Sequence, residues 1–240
     1  MRIIPVIDLQ QGQVVHAVAG QRDRYRPLRS QLCPDNDPCN IVQAFLGLYP
    51  FKTVYIADLA AISGGRPNTN SVRRLLDHFP RLDFWLDQGL RDKNAVLDTN
   101  HKRIFHVIGS ETGISPAQCS ALLDLRPQPL LSLDFSEGNF LGDITLLQRP
   151  DSWPENIILM NLDRVGTASG IDKNLLARIQ KNAIHSHIFV AGGIRNFPDI
   201  QHLRAAGVAG ALVATALHTG QITFADLLEM DRGNTKKMPR

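Results

Sequence analysis

Cysteine is scarce: Cys33, Cys39 and Cys119 are the three in 240 residues. That is too few for a disulfide framework, and their spacings are not those of a zinc site. Cys33 and Cys39 are near neighbours, but spacing alone does not argue for a structural or redox pair. His16, His106 and His218 show no ligand spacing either, so no metal is expected. No apolar run reaches the roughly 18 residues of a membrane span, and the N-terminus opens a strand without an apolar leader. A strong charge of one sign is also missing. The net charge is +3, part of it in Lys236-Lys237-Met238-Pro239-Arg240, so a nucleic-acid partner is not implied. What is left is a reduced, cytoplasmic protein. Its 43% hydrophobic and 20% charged residues suit one large α/β domain or two small ones.

The opening stretch Ile3-Ile4-Pro5-Val6-Ile7-Asp8-Leu9-Gln10-Gln11-Gly12 is an apolar run that ends in a carboxylate and then a polar, Gly-containing loop. This pattern describes a buried strand that carries an acid to its C-terminal end. It returns at Leu130-Leu131-Ser132-Leu133-Asp134-Phe135-Ser136-Glu137-Gly138. Further strands are read at Lys52–Asp58, Asp83–Asp87, Arg103–Ile108, Ile157–Asn161, Ile188–Ala191 and Gly210–Val213. Helices are expected after Asp37-Pro38 up to Pro50, over Asn68–Phe79, from the Ser115 cap and Pro116 to Leu125, and briefly over Asp143–Gln148.

Eight strands alternating with helices predict an α/β fold with a parallel sheet and, at this length, a closed (β/α)8 TIM barrel. An open doubly wound sheet is the alternative. The barrel is expected over residues 1–231 as a single domain, with halves of approximately 1–125 and 126–231, and 232–240 as a flexible basic tail. The segment from Gln10 to Asn36 is long for a βα connection. Its Arg22, Arg24, Tyr25, Arg26 and Arg29 would form either a lid over an anionic substrate or a solvated loop.

The chain also repeats itself at an interval of about 105 residues. Leu86-Asp87-Gln88-Gly89-Leu90-Arg91 matches Val190-Ala191-Gly192-Gly193-Ile194-Arg195. Ile108-Gly109-Ser110 matches Val213-Ala214-Thr215, and Ile56-Ala57-Asp58 matches Asn161-Leu162-Asp163. So long a period is not a solenoid unit and fits two duplicated half-barrels better.

In such a barrel, side chains at the strand C-termini share one mouth. Asp8 and Asp134 open the two halves, so symmetry sets them across that mouth. One carboxylate can remove a proton while the other, held neutral, donates one. The competing reading is that each caps a turn or pairs with an arginine. Gly192-Gly193 and Ala214-Thr215 follow the last two strands, where glycine lets backbone N–H groups approach a phosphate. The corresponding Gln88-Gly89 and Gly109-Ser110 would form a second anion site, with Arg91 in support. Asp87 argues against that site, because a carboxylate repels a phosphate.

These residues resemble the histidine-biosynthesis barrel family, whose members include a phosphoribosylformimino-aminoimidazole carboxamide ribotide isomerase and the cyclase subunit of imidazole glycerol phosphate synthase. The resemblance runs from Ile3 to about Leu228. It rests on the opening Ile-Pro-Val-Ile-Asp-Leu with Gly12 and Gly20, Asp37-Pro38, Leu133-Asp134, Asp163-Arg164-Val165-Gly166-Thr167 with Ser169-Gly170, and Ala191-Gly192-Gly193-Ile194. It implies an Amadori-type aldose-to-ketose rearrangement without a cofactor, with Asp8 as base and Asp134 as acid. It further implies a phosphorylated small-molecule substrate, bound at the Gly193 and Thr215 loops and at the Gly89 and Ser110 loops, with Asp163, Gly166 and Thr167 close by. The chain departs from the family pattern at Asp87-Gln88-Gly89 in place of a glycine run, Met160 in place of a catalytic Thr, Val165 in place of Asp, His16 in place of Arg, and Ala214-Thr215 in place of Gly-Arg. The departures suggest a paralogue with an altered substrate. A lyase or synthase building a one-carbon cofactor precursor, or a non-catalytic phosphate-binding barrel, are the alternatives.

Overall fold

Period-two alternation along each strand decides what faces the barrel axis and what faces the helices. The computed structural model describes residues 1–19, 25–93 and 99–234. Among these, eleven strands form one sheet. Eight of them are mutually parallel and make the barrel: β1 (Arg2–Gln10), β4 (Thr53–Asp58), β5 (Asp83–Asp87), β6 (Ile104–Gly109), β7 (Leu130–Ser136), β9 (Asn156–Asn161), β10 (His187–Ala191) and β11 (Gly210–Val213). The barrel closes where β11 pairs with β1, Arg2 opposite Gly210 and Pro5 opposite Val213. Closure confirms the (β/α)8 barrel over the open sheet. β1 and β7 are four strands apart in either direction around the ring, which puts their C-terminal ends on opposite sides of the mouth.

Inside the barrel lie Ile4, Tyr55, Trp85, Val107, Leu130, Ile158, Phe189 and Leu212. A larger cluster, including Ile7, Phe45, Phe84, Leu131 and Val190, fills the layer between strands and helices. At the floor the Trp85 and Phe189 rings meet edge to face with centroids 4.7 Å apart, and the Arg2 guanidinium lies 4.8 Å from the Phe189 ring. Gly210 makes room for this plug: a Cβ there would sit 2.6 Å from Phe189 Cδ1. The floor is therefore sealed, and the opposite end is left for binding.

Local signals set the helix starts. Asp37 caps α1 (Pro38–Leu48) by accepting from the Cys39 and Asn40 N–H groups. Ser115 and Gln118 form a capping box at α4 (Pro116–Leu122). That helix stops short of the expected Leu125, because the chain turns there with Leu125 N–H on the Leu122 carbonyl, just ahead of Pro127. The short helix expected before Pro150 is a single turn, Thr145–Gln148.

The segment after β1 is not simply a loop. β1 overruns the barrel, turns at Gln11 and Gly12, both at positive φ (51° and 78°), and returns as antiparallel β2 (Gln13–His16), which pairs with β3 (Arg26–Pro27). Two consecutive residues at positive φ give the turn whose twist suits a tight hairpin. β7 does the same at Glu137 and Gly138 (51° and 75°), returning as β8 (Asn139–Phe140). Each half thus opens with an acid-bearing strand and a hairpin. Arg22, Arg24 and Gly20, and residues 235–240 of the expected tail, lie outside the described residues. All three cysteines are free and buried. Among the described residues no helix is long and apolar enough to cross a membrane.

Candidate active site

The strand C-termini surround a cavity of about 550 Å³. Asp8, Asp87 and Asp134 all face the barrel axis at the ends of their strands and line it, joined by Glu111 from the turn after β6. Tyr55 lies among them, and its phenol donates to Asp87 Oδ2 at 3.1 Å. Burial and the Asp87, Asp134 and Asp8 carboxylates keep that phenol protonated, with its pKa well above the ordinary value.

Asp134 is held on every side. The Ser132 hydroxyl donates to Oδ1 at 2.5 Å, and the Ser110 hydroxyl and the Glu111 N–H donate to Oδ2 at 3.2 and 3.1 Å. Burial nevertheless dominates and pushes its pKa up to about 7, with the Glu111 and Asp87 charges adding to the rise against the Ser132 hydrogen bond. Burial likewise lifts Asp8 to about 7, against a hydrogen bond from the Ala17 backbone. Asp87 rises to about 6, again chiefly through burial. Two carboxyls on opposite sides of one cavity thus titrate near neutrality, the condition for one to act as base and the other as acid.

The opposite wall is built from backbone and small side chains. Gly166, Ala168, Gly192, Gly193, Ala214 and Thr215 line it. Gly192 and Gly193 take φ of 92° and 85°, and a Cβ on either would collide with the Asn161 or the Gly170 carbonyl oxygen. Only glycine lets these loops pack so closely. The Gly193 carbonyl accepts the Gly170 N–H at 3.0 Å, and Arg164 stays beside the mouth through a 2.8 Å bond to the Gly170 carbonyl. Thr215 Oγ1 lies 3.4 Å from His16 Nε2. Above this wall the loop from β2 is tied down, with Ala19 N–H on the Val165 carbonyl at 2.9 Å.

The structure does not gather every expected residue. Gly89, Gly109 and Ser110 do not line the cavity, and Arg91 is exposed outside it. The Gly89 N–H is taken by Asp87 Oδ1 at 3.0 Å, and Ser110 is fully buried on Asp134. The four are not gathered into an anion cradle: neighbouring acids occupy the Gly89 and Ser110 donors, and Arg91 lies outside the cavity. Asp163 and Thr167 also face elsewhere. Asp163 accepts from Ser136 Oγ (2.6 Å) and Glu137 N–H (2.5 Å), pinning the β7 hairpin, and the Thr167 hydroxyl bonds the Arg164 carbonyl at 3.0 Å. Arg195 is committed to Asp199 through two bonds of 2.9 and 2.8 Å. Met160, the Cα partner of Asp134 on the next strand, brings a thioether to the mouth.

A sequence profile described as histidine biosynthesis protein matches residues 2–223. The chain belongs to that family. Among its relatives, an uncharacterized protein of Methanocaldococcus jannaschii is 29% identical over 95% of this chain and 98% of its own length. Two others are named 1-(5-phosphoribosyl)-5-((5-phosphoribosylamino)methylideneamino) imidazole-4-carboxamide isomerase. The one from Thermus thermophilus is 27% identical over 92% of this chain and 96% of its own, and the one from Haloquadratum walsbyi 26% identical over 95% of each. These two named relatives are isomerases.

The residues that sequence reading missed are Tyr55, Glu111 and Ser132, while Tyr25, expected in the loop after β1, does line the cavity. Ser132 stands two residues before Asp134 on the axis-facing side, a usable signal, whereas Tyr55 is three residues before the strand-end Asp58, so counting from that acid points to the wrong face. Glu111 and Tyr25 reach the cavity from turns, where no period applies.

Proposed function

We propose that the protein is a cofactor-independent aldose–ketose isomerase of a phosphorylated sugar, a paralogue whose substrate differs from that of the named isomerases. The observation that carries this reading is the pair of axis-facing acids, Asp8 and Asp134, both raised to about 7 on opposite sides of one cavity. Asp134, protonated, donates to the ring oxygen and opens the sugar. Asp8, ionised, takes the proton from C2 and returns it at C1. The C2 hydroxyl becomes a carbonyl as its proton passes back to Asp134, so both acids regain their starting states with no net gain or loss of protons or electrons. The wall of Gly192, Gly193, Ala214 and Thr215 supplies a place for the phosphate, where backbone groups can approach closely.

A second reading, a lyase or synthase working from phosphorylated compounds, is favoured by Met160. A thioether beside Asp134 cannot hydrogen-bond a reacting sugar as a hydroxyl would.

The test is to incubate the protein with phosphorylated aldoses, including the substrate of the named isomerases, and to follow ketose formation with Asp8→Asn as control. Ketose that appears with the wild type and vanishes in the variant supports the isomerase. Equal ketose from both proteins, or none from any aldose, sinks it.

A further inference from the structure

The two sides of the mouth differ in what they leave free. Among the described residues no carboxylate lines the cavity from β9, β10, β11 or the turns that follow them. On the β5 and β6 side, among the described residues, the Gly89 N–H, the Ser110 hydroxyl and the Glu111 N–H are each committed to a carboxylate. Asp87 Oδ1 takes the Gly89 N–H at 3.0 Å, and Asp134 Oδ2 takes the Ser110 hydroxyl at 3.2 Å and the Glu111 N–H at 3.1 Å. The Ser110 oxygen in turn accepts the Asp134 N–H at 2.9 Å. The groups that face the cavity there are Asp87, Glu111, Asp134 and the Tyr55 ring. Gly109 does not open a gap either, since a Cβ on it would lie 3.4 Å from Asp134 Oδ2 and 3.8 Å from Asp87 Oδ2. A phosphate entering this side would meet the Asp87, Glu111 and Asp134 acids at short range, whereas hydroxyl or amine donors would meet carboxylate lone pairs.

Building on the reading of the Gly193 and Thr215 wall as the phosphate site, we infer that the substrate carries one phosphate. Its far end, at β5 and β6, bears hydroxyl or amine donors in place of a second phosphate. Asp87 is the residue that enforces this choice. It is 8% exposed, is fixed by Tyr55 and Gly89, and is close enough to Asp134 to raise that acid's pKa.

The experiment compares ribose 5-phosphate with ribulose 1,5-bisphosphate by calorimetric titration at pH 8, for the wild type and for Asp87→Asn, with inorganic phosphate as a third probe. The wild type is expected to bind the monophosphate at least tenfold more tightly than the bisphosphate. In Asp87→Asn the bisphosphate should gain about tenfold while the monophosphate binds no tighter than to the wild type, and an unchanged circular-dichroism spectrum reports a folded variant. A bisphosphate that binds the wild type as tightly as the monophosphate overturns the inference and leaves the phosphate wall standing. So does a preference that Asp87→Asn does not narrow. Failure of all three probes to bind the wild type overturns the phosphate wall itself, and the inference with it.

Discussion

Ser110 and Asp134 are bonded to each other twice: the serine hydroxyl donates to the carboxylate at 3.2 Å and accepts from the aspartate N–H at 2.9 Å. With Ser132 on the other oxygen at 2.5 Å, the acid cannot rotate, and its direction across the mouth is fixed before a substrate arrives. Such a group works through geometry as much as through its proton.

Ser132 is therefore expected to act through Asp134. In Ser132→Ala a bond that favours the ionised carboxylate is gone, so the Asp134 pKa rises further. If Asp134 must be protonated to act, the alkaline limb of kcat/KM moves to higher pH, with kcat down about tenfold and KM little changed. A pH series on the variant checks this, and a purely structural serine would leave the limb in place.

The pH–rate profile of the wild type should be bell-shaped with its maximum near neutrality. With Asp8 as the proposed base and Asp134 as the proposed acid, the first works ionised and the second protonated, and both are raised to about 7, so the limbs belong to the pair rather than to either residue. Asp8→Asn and Asp134→Asn should each lower kcat at least about 10²-fold. Steady-state rates from pH 5 to 9 measure both effects.

Asp8 should also weaken the fold at alkaline pH. Its folded pKa, about 7, lies above the unfolded value near 3.8, so the folded state holds the proton more tightly. Stability then falls as pH rises from about 4 through 7, where ionisation is resisted by burial. Asp8→Asn removes that term and should raise the melting temperature by several degrees at pH 8, with the gain gone by pH 4. Melting curves at both pH values decide it.

His106 works in the opposite direction. It is 5% exposed, its Nε2 has no partner among the described residues, and burial lowers its pKa to about 4. Below pH 6.5 the unfolded chain takes a proton that the folded chain refuses, so stability is lost as pH drops from 6.5 toward 4. His106→Leu should cut that acid loss by about 2 kcal/mol, read from denaturant midpoints at pH 7 and 4.5. His218, also lowered to about 4, keeps part of it.

What could be read from the sequence was whatever local pattern alone determines. The acids at Asp8 and Asp134 followed from apolar runs ending in a carboxylate, and α1 followed from Asp37-Pro38. The β2 hairpin did not, because Gln-Gly is a weak signal for a turn usually marked by Asn-Gly, and Gln13–His16 becomes a strand only by pairing with the overrun of β1. The phosphate residues expected at Gly89 and Ser110 went astray for another reason. The Ser110 hydroxyl points at Asp134, 24 residues on, a long-range choice that no local window contains, whereas the Gly89 N–H is taken by Asp87 two residues back, the acid that already argued against the site.

Gly166→Ala tests the tie between the first and sixth loops. At φ 69°, a Cβ there would collide with the Ala17 carbonyl oxygen. The variant should lose about 1–3 kcal/mol, and the Ala19 amide, which bonds Val165, should exchange its hydrogen faster than in the wild type.

That same tie gives the mouth a front and a back. The loop from the opening strand belongs to the first half of the chain and is fastened to the second through Ala19 and Val165, so the two halves do not present the mouth with equal loops. A molecule with two different ends can then lie in the cavity in one sense and not in the reverse. Which atom meets Asp8 and which meets Asp134 is fixed by the direction of approach, before any proton moves.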